Sequence, residues 1–236
     1  MRVLVWNLFH GRAVPGAGRD LLGEFAEQIA GWDWDLALLQ EVPPWWPPAL
    51  AAAAGAEQRT ALTSRNALLP LRRWIAERRP DLIKSNGGGS NAILVRGSLG
   101  DHRWVRLRRF PERRGVQLAT LGDGTRVANM HLSTVPRLAR DELARAWSLA
   151  EGDSPLLFGG DLNLRDPVAP ASDIEHVAAR DVDHVFVRGF ERVGEMVMPD
   201  RRLGDALLSD HAALIVHVEP RSPQTTPSGP RRAGAP

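Results

Sequence analysis

Short apolar runs that end in polar residues recur along this chain, and they constrain its fold more than any other feature. One such run, 155–158, leads directly into Gly159-Gly160-Asp161-Leu162-Asn163. Apolar runs of this kind mix with helical segments, and both hairpins and crossovers connect them. This mixture predicts an α/β protein in which two packed sheets have helices on their outer faces.

The periodicity of apolar residues and the turn signals give an explicit order of elements. The predicted strands are 3–8, 36–40, 91–96, 104–109, 116–121, 125–131, 155–160, 182–188, 191–198 and 212–218. The predicted helices are 20–32, an alanine-rich segment after Pro48, 68–77 and 136–150, and 85–90 is predicted to be a flexible turn. Residues 1–218 are expected to form one domain, followed by a disordered Pro/Ser/Arg tail over 219–236.

Composition narrows the class of protein. The chain has 236 residues, 43% of them hydrophobic, and no cysteine, which excludes disulfides and thiolate metal sites. It shows no signal peptide and no run near the ~18 to 20 apolar residues of a membrane span. We therefore expect a cytoplasmic protein with no integral membrane segment, and the sequence indicates no obligate protein partner.

The charge of the whole chain does not indicate nucleic-acid binding, because 30 basic residues are balanced by 28 acidic ones. Arginines do cluster locally, with Trp104 and Phe110 among them; the candidates for substrate contact are Arg103, Arg106, Arg108 and Arg109. The cluster fits either contact with phosphates or a solvated edge hairpin whose charges prevent aggregation.

Polar residues stand at the ends of several apolar strands, and one lies inside a strand. They are Asn7, Glu41, Asn129 with His131, Asp161 with Asn163, Asp183, and Ser209-Asp210-His211. Alternation along a strand places Asp161 and Asn163 on the same side, and the preceding glycines allow close approach of a backbone or ligand. Together these carboxylates, amides and histidines fit metal-assisted cleavage of a phosphate ester.

The same residues, in this order, resemble the motif set of the endonuclease/exonuclease/phosphatase superfamily, the deoxyribonuclease I-like metal-dependent phosphoesterases. The matching motifs are Val5-Trp6-Asn7, Gln40-Glu41, Asn129-Met130-His131-Leu132, Gly160-Asp161-Leu162-Asn163, Asp183 and Ser209-Asp210-His211. The resemblance covers about 3–218. It implies a four-layer α/β/β/α sandwich of two mixed sheets, with the site at one end of the paired sheets.

The resemblance also implies a metal site. Glu41 takes the role of the principal Mg²⁺ ligand, with Asn7 and Asp210 beside it. Mn²⁺ is the alternative cation, since it accepts the same oxygen ligands.

The remaining motif residues acquire catalytic roles by the same resemblance. Asp161 orients or deprotonates the attacking water, and Asn163 holds that water or a phosphate oxygen. His211 donates to the phosphate oxygens while Asp183 accepts from its other ring nitrogen, and His131 matches the second histidine of the family. The chain has no tyrosine, so the tyrosine of the abasic-site endonucleases is missing and abasic-site repair is not the first choice.

Three residues near these motifs have competing interpretations. Trp45 and Trp46 lie between prolines just after Glu41, where they can stack on bases, enter a membrane interface or pack under the following helix. His10 follows Asn7 and is interpreted as a surface-loop histidine rather than a site residue.

The sequence thus predicts a Mg²⁺-dependent phosphodiesterase, most simply an endo- or exonuclease acting on nucleic acid by in-line attack of water. The alternative keeps the chemistry but makes the enzyme a phosphatase or a phospholipase C-type hydrolase of a phosphorylated small molecule or lipid headgroup. A non-catalytic binding module with the same fold is the third hypothesis.

Overall fold

A computed structural model describes residues 1–63, 66–82 and 89–221 of the chain, so most of the predicted turn at 85–90 lies outside the described residues. The strands of the described part are β1 Arg2–Asn7, β2 Ala13–Val14, β3 Leu36–Val42, β4 Glu57–Leu62, β5 Ser90–Val95, β6 Leu99–Arg108, β7 Arg114–Leu121, β8 Arg126–His131, β9 Leu156–Asp161, β10 Glu175–Arg180, β11 Asp183–Arg188, β12 Phe190–Arg192, β13 Arg202–Leu203, β14 Ala206–Leu208 and β15 Leu214–Pro220. The α-helices are α1 Leu22–Gly31, α2 Pro47–Ala54, α3 Leu69–Arg78 and α4 Pro136–Ala150, and 3₁₀ turns span Phe9–Gly11 and Pro80–Leu82.

Two six-stranded sheets form the body of the protein. The first has the strand order β12-β15-β1-β3-β5-β4, and the second has the order β10-β11-β9-β8-β7-β6. Parallel pairing joins β1 to β3 and β8 to β9, while the neighbouring pairs are antiparallel, so both sheets are mixed. A small third sheet, β13-β14-β2, lies outside these two.

Strand β1 shows why its sequence is apolar at almost every position. Val3 and Val5 belong to the core between the two sheets, whereas Leu4 and Trp6 belong to the core that packs against α1. Since side chains alternate across a strand, each face of β1 requires its own set of apolar residues. The ring of Trp6 lies 5.1 Å from that of Phe25 on α1.

The second sheet is covered on its outer face by α4. Leu157 of β9 points into the core between the sheets, while Phe158 belongs to the outer core. The ring of Phe158 stacks on Trp147 of α4 at a centroid distance of 3.8 Å. Three cores therefore separate four layers, and the predicted α/β/β/α sandwich of two mixed sheets is confirmed.

The predicted strand order misses the three strands of the small sheet and contains errors at the edges of the two large sheets. β4 and β10 were not predicted, because edge strands carry too few buried residues to show an apolar pattern. β12 covers only Phe190–Arg192 instead of 191–198, since Gly194 takes a positive φ and breaks the strand. At the other end, β15 runs to Pro220, past the predicted domain boundary, and 222–236 lie outside the described residues.

Among the described residues, none of the helices is both long enough and apolar enough to cross a membrane.

Candidate active site

Several of the polar residues singled out in the sequence meet at one end of the sandwich. Pairing of β9 with its two neighbours sets Asp161 opposite His131 on one side and opposite Asp183 on the other. The amide Nδ2 of Asn7, at the end of β1 in the other sheet, donates to Asp161 Oδ2 at 2.9 Å. Asp161 thus lies where the two sheets meet, and its side chain is only 2% exposed.

Gly159 and Gly160 allow the strands around Asp161 to pack this closely. A Cβ atom on Gly159 would overlap the carbonyl of His184 on β11, and one on Gly160 would overlap the carbonyl of Met130 on β8. Gly160 also has a φ of 130°, which side-chain-bearing residues rarely adopt. The close approach expected from the paired glycines is therefore made by protein backbone.

Asp161, Asp183 and His211 form a group that we call the Asp183 cluster. One polar atom from each lies within 4.8 Å of the others. His211 Nδ1 is 2.8 Å from Asp183 Oδ2, and His211 Nε2 is 3.9 Å from Asp161 Oδ2. Ser209 fixes this histidine, because its Oγ accepts from the His211 N–H and donates to the carbonyl of Asn7.

Burial and the presence of two carboxyl groups beside one histidine set the protonation states of the Asp183 cluster. Burial and the charge of Asp183 raise the pKa of Asp161 to about 7. Burial also raises the pKa of Asp183, against the effect of its hydrogen bond to His211. Burial opposes charge on His211, but the hydrogen bond and charge of Asp183, with Asp161 nearby, raise the pKa of His211 to about 9. A base that titrates near neutrality thus stands beside a charged imidazolium.

A second group, the Glu41 cluster, consists of His10, Glu41 and His131. Glu41 sits in an irregularity of β3 between Leu39 and Val42 and has a φ of 50°, a left-handed conformation that is uncommon outside glycine. His10 Nε2 lies 3.0 Å from Glu41 Oε2, and His131 Nε2 lies 3.8 Å from Glu41 Oε1. This backbone conformation places the carboxylate between two imidazoles.

The carboxylate of the Glu41 cluster stays ionised. Burial alone opposes the charge, but the hydrogen bond from His10 and the neighbouring histidines hold the pKa of Glu41 well below its usual range. Burial and the charge of Arg114 lower the pKa of His131, so that this ring is neutral at neutral pH. Glu41 therefore presents a negative charge beside a neutral His131 ring.

The predicted metal ligands provide oxygen atoms at this end of the sandwich. Glu41 is 20% exposed, and Asn7 Oδ1 accepts from the N–H of Phe9 at 2.9 Å. Asp210 is 46% exposed and lies 4.0 Å from His211 Nε2, so it stands at the mouth of the site. Glu41 offers an ionised carboxylate, Asn7 an amide oxygen and Asp210 a second acid, and donors of these types suit a hard divalent cation.

Asn163 is held next to Asp161 by its own backbone. Its φ is 51°, its N–H donates to Asp161 Oδ1 at 3.0 Å, and its Nδ2 donates to the carbonyl of Leu132 at 2.9 Å. Asparagine tolerates the left-handed conformation better than most residues. This turn places the backbone N–H of Asn163 beside the carboxylate, while its side-chain amide binds the carbonyl of Leu132. The strand alternation expected for Asp161 and Asn163 is not observed, because β9 ends at Asp161.

A ladder of buried amides beneath the site was not predicted. Gln40 Nε2 donates to Asn129 Oδ1 at 2.8 Å, and Asn129 Nδ2 donates to the carbonyls of Leu39 and Ala92. Asn129 therefore links the two sheets from inside the sandwich and does not join His131 in the site. Amides within otherwise apolar strands are the sequence signal for such a link, because buried amides require partners.

The four arginines that were predicted to contact substrate lie in two different environments. Arg103 donates to the carbonyl of Leu149 at the end of α4, and Arg108 pairs with Glu142 of α4 at 2.6 Å. These two arginines therefore hold the helix against the edge of the second sheet. Arg106 is exposed on β6, and Arg109 lines a groove.

That groove has a volume of about 590 Å³ and lies at the same end of the sandwich as the two clusters. Its lining residues are Thr63, Asn66, Ala67, Arg109, Pro111, Glu112 and Arg113. Strand pairing connects Val42 to Ser90 and Ser90 to Leu62, the residue before Thr63. Since paired strands lie about 4.8 Å apart, the groove begins roughly 10 Å from Glu41.

The prediction that Trp46 contacts substrate is wrong. Trp46 is completely buried, and its ring packs against Phe25 of α1 at 5.4 Å. A Cβ on Gly11 would overlap the same ring, so Trp46 supports the turn that carries His10. Trp45 is partly exposed, with the guanidinium of Arg73 5.9 Å from its ring centre.

His10 is the site residue that sequence interpretation missed. Its position three residues after Asn7 is the available signal, but a loop histidine is by itself typical of a surface. Its contact with Glu41 in the structure is what identifies His10 as a site residue.

Comparison with known proteins places the fold among hydrolases. The sequence profile described as Endonuclease/Exonuclease/phosphatase family matches residues 4–211. An endonuclease/exonuclease/phosphatase of Beutenbergia cavernae superposes with a TM-score of 0.72 at 19% identity, covering 93% of this chain and 71% of that one. TDP2 of Caenorhabditis elegans gives 0.66 at 15% identity, covering 92% and 73%. A mannosyl-6-phosphatase of Bacteroides thetaiotaomicron gives 0.64 at 14% identity, covering 93% and 99%. No curated protein matches the chain by sequence.

Proposed function

We propose that this chain, which belongs to the endonuclease/exonuclease/phosphatase family, is a Mg²⁺-dependent phosphodiesterase that hydrolyses nucleic acid. The family consists of phosphoric ester hydrolases, nucleases and phosphatases among them, and the chain is an enzyme of this class. The observation that carries the proposal is the position of Asp161 between Asn7 and the His211–Asp183 pair, with Glu41 on the other side of His131.

The Asp183 cluster can supply both proton transfer and charge stabilisation. Asp161, with a pKa near 7, can accept a proton from an attacking water at neutral pH. His211 is charged at that pH and can donate from Nε2 to a phosphate oxygen, because its Nδ1 is bound to Asp183. Asn163, fixed beside Asp161, is placed to hold the water or an oxygen of the phosphate.

Glu41, Asn7 and Asp210 are the residues that would hold the cation, with Glu41 as the principal ligand. When bound, Mg²⁺ would neutralise charge that develops on the phosphate. The lowered pKa of Glu41 supports this role, because a carboxylate must be ionised to bind a cation.

Nucleic acid is the favoured substrate class because a groove lined by the exposed Arg109 begins about 10 Å from Glu41 at the same end of the sandwich. Arg113 also lines this groove, with its guanidinium bound to the carbonyl of Thr63. Successive phosphates of a polymer can occupy the groove while one phosphate reacts, whereas a single small phosphate leaves the groove unused.

The second candidate is a phosphatase or phospholipase C-type activity on a small phosphate or lipid headgroup. Arg103 and Arg108 favour it, since both are bound to α4 and leave less basic surface for a polymer. The structural likeness to a mannosyl-6-phosphatase is consistent with the same reading.

The test compares substrates on the purified chain with Mg²⁺ or Mn²⁺, and with EDTA as the control. Plasmid, single-stranded DNA and RNA are assayed beside a phosphomonoester and a lipid phosphodiester, with Asp161→Ala as the inactive control. We expect EDTA-sensitive cleavage of at least one polynucleotide. Turnover of the phosphomonoester or lipid without any polynucleotide cleavage would show that the second candidate is correct.

A further inference from the structure

His10 occupies a fixed position beside the main predicted metal ligand. Its Nε2 lies 3.0 Å from Glu41 Oε2, and its side chain is 14% exposed. It belongs to the 3₁₀ turn Phe9–Gly11, which directly follows the strand that carries Asn7. His10 therefore comes from the same segment as one predicted ligand and touches another.

Hydrogen bonds and packing contacts with the rest of the protein fix the backbone of this turn. The N–H of Leu8 donates to the carbonyl of Gln40, the residue before Glu41, at 2.8 Å. Gly11 packs on the buried ring of Trp46, and the carbonyl of Arg12 accepts from the N–H of Ser209 at 2.8 Å. The turn is thus tied to β3, to the aromatic core and to the segment that carries His211.

We propose that His10 is a nitrogen ligand of the cation held by Glu41, an inference that rests on the proposed metal-dependent function. Two ligands of one octahedral ion lie about 3 Å apart when each bond is about 2.1 Å long. The separation of 3.0 Å between His10 Nε2 and Glu41 Oε2 matches that value. The proton that His10 Nε2 donates to Glu41 would be released to solvent when the cation binds. His131 is the less suitable nitrogen, because its Nε2 is 3.8 Å from Glu41 and 3.4 Å from Asp161.

A nitrogen ligand changes which cation the site prefers. Mg²⁺ favours oxygen ligands, whereas imidazole increases the affinity for Co²⁺ and Ni²⁺ relative to Mg²⁺. His10 therefore shifts the preference of this site toward transition-metal ions.

The experiment measures metal binding without turnover. Mn²⁺ bound to the full chain is examined by electron spin echo envelope modulation, which detects a directly bound ¹⁴N, and Co²⁺ and Mg²⁺ affinities are measured by calorimetry. The variants are His10→Asn, whose side chain tolerates the left-handed φ of 55° at this position, His131→Asn, and His217→Asn as the control on β15.

We expect a ¹⁴N signal in the wild type that is lost in His10→Asn and retained in His131→Asn and His217→Asn. The Co²⁺ Kd should rise about tenfold or more in His10→Asn, while the Mg²⁺ Kd changes less than about twofold. Thermal melting checks that each variant is folded, and His10→Gln provides a second substitution.

Two results separate this inference from the proposed function. If Mn²⁺ binds, Glu41→Gln abolishes the binding and no ¹⁴N signal depends on His10, the metal site stands but His10 is not its ligand. If His10→Asn tightens the binding of both Co²⁺ and Mg²⁺, His10 is a competing partner of Glu41 and the inference is overturned. If the wild type binds none of the three ions, the proposed metal site itself is wrong.

Discussion

The Asp183 cluster and the Glu41 cluster are both built from carboxylates and histidines, yet their protonation chemistry is opposite. In the Asp183 cluster, two buried acids share one histidine, so the pKa of Asp161 rises to about 7 and that of His211 to about 9. In the Glu41 cluster, the hydrogen bond from His10 and the neighbouring histidines outweigh burial and hold the pKa of Glu41 well below its usual range, while burial and the charge of Arg114 lower the pKa of His131.

The ratio of acids to bases, together with burial, therefore decides what a histidine–carboxylate contact can do. An excess of acid retains a proton and a charged imidazolium, which suits proton transfer. A single carboxylate among imidazoles stays negative, which suits a cation. The two clusters are joined through Asp161, whose Oδ2 lies 3.4 Å from His131 Nε2 and 3.9 Å from His211 Nε2.

We expect the largest effect on activity from removing His211, the histidine of the Asp183 cluster. We expect His211→Ala to lower kcat by about 10³-fold, because general acid–base groups typically contribute about 10² to 10⁴. Steady-state kinetics at saturating substrate measure this, with His217→Ala as the control and thermal melting as the check on folding. Near wild-type kcat in a folded His211→Ala protein would exclude the role assigned to His211.

The next effect concerns the Glu41 cluster. Glu41→Gln keeps the shape of the side chain but removes its charge, so Mg²⁺ affinity should fall about 10- to 100-fold or more. Calorimetric titration of the wild type and the variant measures the change, with Glu219→Gln as a surface control on β15. An unchanged Mg²⁺ Kd would reject Glu41 as the main ligand.

Asp183→Asn tests the cause of the raised pKa of His211. The imidazolium is the active form, so the wild type should lose activity as the pH rises through about 9, and the variant should lose it closer to 6.5. A pH profile of kcat/KM measures the shift of this basic limb. The same limb in both proteins would mean that Asp183 does not control His211.

The raised pKa of His211 also determines how the stability of the fold changes with pH. Because the pKa of His211 is higher in the folded state, its charged form stabilises the fold fully below pH 6.5, and this contribution is lost as the pH rises toward 9. The melting temperature of the wild type relative to Asp183→Asn should therefore decrease between pH 6 and pH 9.5.

The smallest effect concerns the groove beside the Glu41 cluster. Arg109→Gln should raise KM for an oligonucleotide about two- to fivefold. The slope of log KM against the logarithm of the salt concentration should become less steep by about one. Arg140→Gln, an exposed arginine on α4, is the control. Equal effects of the two variants would show that the groove does not bind the polymer.

Much of the fold could be predicted because β1, β3, β8 and β9 are apolar on both faces and end in polar residues. The edge strands β4 and β10 could not, since solvent accepts polar residues there. Among the site residues, Asp161, Asp183 and His211 were singled out by position and do meet in space. Asn129 was placed wrongly, and Trp46 was left open between the core and the surface, because nothing local distinguishes a buried aromatic or amide from an exposed one.

Sequence alone accounts for the order of the central strands, the glycines that allow the strands to pack closely around Asp161, and the residue types available at each strand end. These are local properties of spacing and side-chain chemistry. The packed fold is needed to show that His10 touches Glu41, that Asn7 donates to Asp161 across 154 positions of sequence, and that Arg103 and Arg108 bind residues of α4. Burial and charge act between neighbours in space, so the opposite behaviour of the two clusters arises only when the sheets are packed.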